Sequence, residues 1–177
     1  MQNADLVFDD VRLGPDGLLP GAGSFDATRE MLRDSRAWAG WQGVGVQQGI
    51  LRVLRDYSLR RTQFGRPLAR FQLVQAAIAS AAGNLAASTG LMMQIQRLQE
   101  DGTLEMVHVA AAKATSTRLA RESAAVARDA MGGNGILVGH EMARFMGDVE
   151  AIHTYEGTYG INALLVGRAL TGVSAFV

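Results

Sequence analysis

One carboxylate, Glu156, stands in a stretch running from Asn134 to Thr158, with His153, Tyr155 and Tyr159 close by in sequence. Ile152, Ile161 and Leu164 add apolar neighbours. A carboxylate deprived of water is a stronger base, and a strong base is what proton abstraction from a weakly acidic carbon requires. The same glutamate in a solvated loop is the commoner outcome for its type. Local sequence leaves both readings open.

Three other groupings invite chemistry. Gly132-Gly133-Asn134-Gly135 resembles a phosphate loop, but a helical pattern precedes it and no Lys-Ser/Thr follows it. It reads as a helix stop with an excess of glycine, which leaves room for close backbone approach to a ligand. His140-Glu141-Met142-Ala143-Arg144 begins like a zinc-protease helix and fails at its fifth position. With three histidines (108, 140 and 153) and no cysteine, no ligand spacing emerges, so no metal is expected. Arg60-Arg61-Thr62-Gln63-Phe64 is either cationic capping of a helix end or an arginine fork for a phosphate.

These residues must be held by something, and the composition says helices. Hydrophobic residues make up 48% of the 177 residues and there are three prolines. Residues 1–25 differ in texture. Pro15-Asp16-Gly17 and Pro20-Gly21 are turn signals, and one short strand is expected at Asp5–Phe8, as the end of a sheet whose remainder is elsewhere. From Asp26 the pattern is helical. Met31 to Arg61 carries Gly40, Gly43, Gly45 and Gly49 near Trp38 and Trp41, a spacing that suits tight helix packing or a ligand. That helix should end before Phe64-Gly65-Arg66-Pro67.

Phe71, Val74, Ile78, Ala81, Leu85, Ser88, Met92 and Ile95 then recur at alternating spacings of three and four, one stripe of a helix of about eight turns. Thr103 is the expected cap of the next helix, whose inner face reads Ala112, Thr115, Leu119, Val126, Ala130. His108 near its start reads as a packed or surface residue. A short helix from His140 to about Glu150 follows, and Thr158 caps a last one from Tyr159 to about Gly172. The expected fold is all-α, an up-and-down four-helix bundle, with a β/loop stub over 1–25 and the bundle over 26–177.

Lys+Arg and Asp+Glu are 17 each, so no general attraction for nucleic acid is expected. Absent cysteines fit a reducing compartment such as the cytoplasm, and the N-terminus lacks the features of a secretory signal. No apolar run is read as long enough to span a membrane, so no membrane insertion is expected.

Taken together the motifs resemble a family. Arg61-Thr62-Gln63-Phe64-Gly65-Arg66-Pro67-Leu68, Gln72-Leu73-Val74-Gln75, Ala127-Arg128-Asp129-Ala130-Met131-Gly132-Gly133-Asn134-Gly135-Ile136, Tyr155-Glu156-Gly157-Thr158 and Gly167-Arg168-Ala169-Leu170-Thr171-Gly172 occur in that order. The series resembles the C-terminal half of an acyl-CoA dehydrogenase, most of all the glutaryl-CoA dehydrogenase branch.

The resemblance implies the end of a middle β domain followed by the C-terminal bundle, and an FAD-dependent α,β-dehydrogenation of an acyl-CoA thioester. It implies Glu156 as the base that takes the α-proton. It places Arg29, Arg36 and Gly157 along the acyl-CoA. Thr158 and Phe176 become FAD contacts, as do Arg61, Phe64, Gln72, Asp129, Met131, Gly132 and Gly133, which in the family serve the cofactor of a neighbouring subunit. It implies a homo-oligomer, dimer or tetramer, and an electron-transfer flavoprotein as electron acceptor. Where the family usually has a polar pair after the threonine, this chain has Tyr159-Gly160, so one polar FAD contact is missing. The alternative from another class is a helical oligomerisation module that keeps the bundle without the chemistry.

Overall fold

The computed structural model describes residues 4–176; positions 1–3 and 177 of the expected segments lie outside the described residues. Five α-helices form the body: α1 (Thr28–Arg60), α2 (Gln72–Glu100), α3 (Met106–Ala130), α4 (Met142–Thr154) and α5 (Tyr159–Thr171). The three long helices pack on one another, and the short α4 and α5 both pack on α3. This is the all-α bundle that the periodicity dictates.

Two apolar clusters make its core. One joins Ile50 and Leu54 of α1 to Ala120, Ala124 and Ala127 of α3 and Val149 of α4. The other joins Ala37 of α1, Met92 and Ile95 of α2, and Val109 and Ala112 of α3. A polar layer lies between them. The two N–H groups of buried Gln47 Nε2 on α1 are shared among three acceptors, Gly43 O (2.9 Å), Ser88 Oγ of α2 (2.9 Å) and Ser116 O of α3 (3.2 Å). Ser116 Oγ donates in turn to Gly40 O at 2.8 Å. A buried amide keeps its place only by such bonds.

The α1 glycines now have a reason. A Cβ at Gly40 would lie 2.5 Å from Met92 Sδ, one at Gly43 2.5 Å from Ser116 Oγ, and one at Gly49 2.7 Å from the Phe145 ring. Each lets a different neighbour, α2, α3 or α4, approach α1 closely. Gly45 faces open space.

Several expectations need correction. Asp5–Phe8 is not a strand: residues 4–8 pair with no other described segment, and a lone strand has nothing to bury it. The sheet found among the described residues is a small hairpin after α1, β1 (Thr62–Gln63) and β2 (Arg66–Pro67), antiparallel with Gln63 opposite Arg66. Its turn residues Phe64 (φ 51°) and Gly65 (φ 77°) are both left-handed, as a tight hairpin of this type demands. Thr103 does not cap α3. Its N–H bonds Leu98 O at 2.9 Å and so closes the end of α2, while Glu105 and His108 form a reciprocal capping box at the start of α3.

The expected inner face of α3 is also too narrow. Ala112 is buried as expected, but Thr115, Leu119, Val126 and Ala130 are half-buried, whereas Val109, Ala110, Lys113, Ser116, Thr117, Ala120, Ser123, Ala124 and Ala127 are buried. A central helix with neighbours on most sides has no single stripe. Finally, α2 is long and apolar enough to cross a membrane by length and composition alone. The alanine-rich faces around the stripe account for this. Asn84 nevertheless ties α2 to Ser123 of α3 through a 3.2 Å bond, beside the Gln47–Ser88 bond to α1.

Candidate active site

Glu156 sits in the short turn between α4 and α5, and its backbone is unusual. α4 ends with Tyr155 extended, Glu156 is left-handed (φ 57°) and Gly157 follows at φ 84°. A left-handed glutamate costs about 1–2 kcal/mol, so the surroundings must impose it. They do so at four carbonyls in and beside the turn. Arg36 Nε donates to Glu156 O at 3.0 Å. Asn162 Nδ2 donates to Gly157 O at 2.7 Å and to Thr158 O at 3.1 Å. Lys113 Nζ donates to Gly157 O at 2.7 Å and to His153 O, in the last turn of α4, at 2.8 Å. A Cβ at Gly157 would lie 3.3 Å from both Arg36 Nη2 and Asn162 Nδ2, which leaves that position to glycine. Thr158 caps α5 as expected, accepting from Ile161 N at 3.3 Å.

The carboxylate itself has a polar partner. Ser35 Oγ of α1 donates to Glu156 Oε2 at 2.5 Å. Glu156 is half-buried beside two cations rather than caged by apolar groups alone. Arg36 is buried, and burial pulls its guanidinium below the usual value while Glu156 pulls the other way. Burial, reinforced by Arg36 and opposed by Glu156, lowers the Lys113 ammonium to about 8. Burial raises Tyr155, with the negative charges of Glu156 and Asp148 adding to it. Its hydroxyl bonds Gln42 of α1. His153 is lowered by burial and by the cations Arg121 and Lys113, against Glu150. It stacks on Tyr159 with ring centres 5.8 Å apart and meets Thr117 Oγ1 at 3.1 Å through Nδ1.

The other expected site residues gather at the far end of α1. An open cleft of about 430 Å³ is lined by Tyr57, Arg61, Asp129, Met131, Gly132 and Gly133 among others. Gly132 is left-handed (φ 60°), and no atom would meet a Cβ at Gly132 or Gly133, so bare backbone forms an open wall. Tyr57 braces the turn: its hydroxyl accepts from Asn134 Nδ2 at 2.8 Å. Met131 is 3% exposed and its side chain belongs to the core, leaving only its backbone for a ligand. Asp129 pairs with Arg128. Phe64 is 90% exposed at the hairpin tip and Gln72 is the first residue of α2; neither lines the cleft. Arg66 stacks over Phe71 at 4.3 Å. Arg29 is exposed on the first turn of α1, and Phe176 lies beyond α5, partly exposed.

The two clusters do not form one site within a chain. Arg36 and Arg61 lie 25 positions apart along α1, about 37 Å at the helical rise. Thr158 belongs with Glu156; Arg61, Asp129, Gly132 and Gly133 belong to the other end.

Sequence reasoning missed Lys113 and Ser35. Ser35 carries no motif and is 121 positions from its partner. Lys113 had a signal: it is the single lysine among the 17 basic residues.

The all-α bundle carries a side-chain-clamped carboxylate turn at one end and a glycine-walled cleft at the other. The model of the acyl-CoA dehydrogenase C-terminal domain matches residues 23–171, and the chain belongs to that family. It is 28% identical over 170 residues to the short-chain-specific acyl-CoA dehydrogenase of Megasphaera elsdenii, covering 96% of this chain and 44% of that one. Among solved structures, glutaryl-CoA dehydrogenase of Mycobacterium smegmatis in complex with FADH2 superposes with a TM-score of 0.91 at 29% identity, covering 97% of this chain and 44% of the other. A chain in the structure of the electron transferring flavoprotein of Acidaminococcus fermentans gives 0.80 at 29% identity, covering 84% and 39%. The chain thus spans less than half the length of these relatives.

Proposed function

We propose that this chain is the C-terminal part of an FAD-dependent acyl-CoA dehydrogenase, with Glu156 as the base that removes the α-proton of an acyl-CoA thioester. The observation that carries the reading is the turn itself: a left-handed glutamate whose own carbonyl accepts from Arg36, with Lys113 and Asn162 holding Gly157 O and Lys113 holding His153 O. A solvated loop glutamate needs no such restraint. A non-catalytic module would have no use for it.

Ser35 orients the carboxylate, and two cations nearby keep negative charge in place there. Arg36 and Gly157 sit against the space an acyl-CoA would occupy, with Arg29 at the start of the same helix. FAD, when bound, accepts the hydride from the β-carbon. The residues present fit part of its site: Thr158 beside the base, and in the distant cleft a cation, Arg61, with the exposed backbone of Gly132 and Gly133 for phosphate-bearing portions. Phe64, Gln72, Asp129, the Met131 backbone and Phe176 complete the contacts of this reading. In this reading the cleft serves the FAD of a second copy, in a dimer or tetramer, as the family resemblance implies, and the separation of the two ends along α1 is compatible with that. Residues 1–25 belong, in this reading, to the end of a middle β domain, and the enzyme is cytoplasmic and passes electrons to an electron-transfer flavoprotein.

The test is isotope exchange. In the longer polypeptide that the reading implies, Glu156→Gln should slow exchange of the acyl-CoA α-proton with D2O by about 10²–10⁴-fold while the flavin stays bound. Exchange at the wild-type rate would remove Glu156 from the base role. The 177-residue chain alone should show little flavin absorbance and no turnover; a stoichiometric flavin band with turnover would overturn that expectation.

A further inference from the structure

Lys113 is the one lysine in a chain that uses arginine at all its other Lys/Arg positions. It lies in the first half of α3, within an alanine-rich run, and is 0% exposed. Burying an ammonium is expensive, so its placement calls for a reason. Its Nζ reaches away from α3 to two carbonyls of another segment, His153 O at 2.8 Å and Gly157 O at 2.7 Å. Those two carbonyls bracket Thr154, Tyr155 and Glu156.

We infer that Lys113 is the positioning residue of the Glu156 turn: its buried amino group bridges the end of α4 to Gly157 and so holds the base in its left-handed conformation. Three features point the same way. First, α4 lacks the usual glycine stop. The left-handed position a glycine would fill after a helix is occupied by Glu156, so an outside restraint must supply what glycine would give freely. Second, the carbonyls of the last helical turn lack intrahelical partners, and a cation there is favourable. Third, lysine suits the task where arginine does not. Two carbonyls from one strand of chain converge on a single atom, which a compact ammonium can serve and a flat fork cannot. Thr117 Oγ1, which bonds Lys113 O at 2.8 Å, stiffens the α3 segment carrying it. The charged and titratable groups that face the amino group are Arg36, Glu156 and His153.

The inference rests on the reading of Glu156 only for its consequence. Its test reads the turn itself and is independent of turnover. In the ¹³C,¹⁵N-labelled 177-residue chain the sole lysine gives one side-chain ammonium signal. Through-hydrogen-bond couplings from Nζ to the carbonyl carbons of His153 and Gly157 are expected. In Lys113→Met, amide exchange at Tyr155–Thr158 should quicken tenfold or more while core amides of α1 to α3 keep their wild-type rates. In Lys113→Ala, propylammonium should restore protection and 1-butanol, of similar size, should not; a merely space-filling role would respond to both. Unchanged exchange in a folded Lys113→Met chain overturns the inference, as does equal rescue by the alcohol. If neither variant folds, the wild-type couplings decide, and their absence overturns it. Failure of the Glu156→Gln exchange test would remove the catalytic meaning and leave the bridge standing.

Discussion

The two ends of α1 do opposite things with their backbones. At the Ser35–Arg36 end, side chains from α1, α3 and α5 converge on the carbonyls of one turn and leave it no freedom. At the Arg61 end, the glycine turn offers its backbone to open space, with cation and hairpin tip exposed beside it. One end is finished by its own chain; the other leaves its backbone open. A group that must meet a reacting carbon needs the first arrangement, because small displacements cost large factors in rate. A surface that holds the outer parts of a cofactor needs only the second.

The comparison predicts unequal responses to mutation. The largest effect on chemistry is the loss of α-proton exchange in Glu156→Gln. Next comes Gly157→Ala at the finished end. Its φ of 84° and the 3.3 Å approach to Arg36 and Asn162 predict destabilisation of about 1–3 kcal/mol by urea unfolding. Wild-type stability would show the turn to be looser than described. Gly43→Ala, between the ends, should cost about 1–3 kcal/mol through overpacking on Ser116. Arg61→Ala at the open end should stay within about 0.5 kcal/mol of wild-type stability, being an exposed change, yet weaken flavin retention in the assembled enzyme. A large stability loss there would mean the cleft is not open.

The smallest effect is in pH, and it belongs to the finished end alone. Lys113 is lowered to about 8 from 10.5, so between those values the unfolded chain holds the extra proton and stability rises with pH. Tyr155, raised above 10.0, contributes in the opposite sense, its share being lost as pH climbs past its folded value. His153 is lowered from 6.5, so its share falls away as pH drops below that value. The urea midpoint should therefore climb from below pH 6.5 and again from about 8 to 10, and Lys113→Met should lose the second climb. A second climb that survives the substitution would detach it from Lys113.

Much of this was legible in the sequence, for physical reasons. α2 announced itself because a helix with one buried stripe repeats its pattern, and Ala81, Ser88, Met92 and Ile95 are buried as that stripe requires. Thr158 was legible because caps are local. α3 was legible as a helix but not in its packing, since neighbours on most sides erase the stripe. The hairpin at Thr62–Pro67 was read only as a break, because strands of two residues carry no period. The order of the motifs pointed to the family, but order carries no distance. Nothing in the sequence says that Arg61 and Glu156 end up at opposite ends. Ser35 and Lys113 act across the fold on a residue far away in sequence, and such partners become visible only when the chain is folded.

The Gln47 layer takes on a further meaning once the two ends are set apart. A slide of α1 by a turn would already lose the close approaches at Gly40, Gly43 and Gly49. A slide of that kind strands the Gln47 amide away from Ser88 and Ser116, and it moves both ends together by about 5.4 Å. Ser35 would leave Glu156 just as Arg61 left Gly132. The buried amide is thus a register mark on a ruler, and it keeps both ends of the ruler true at once.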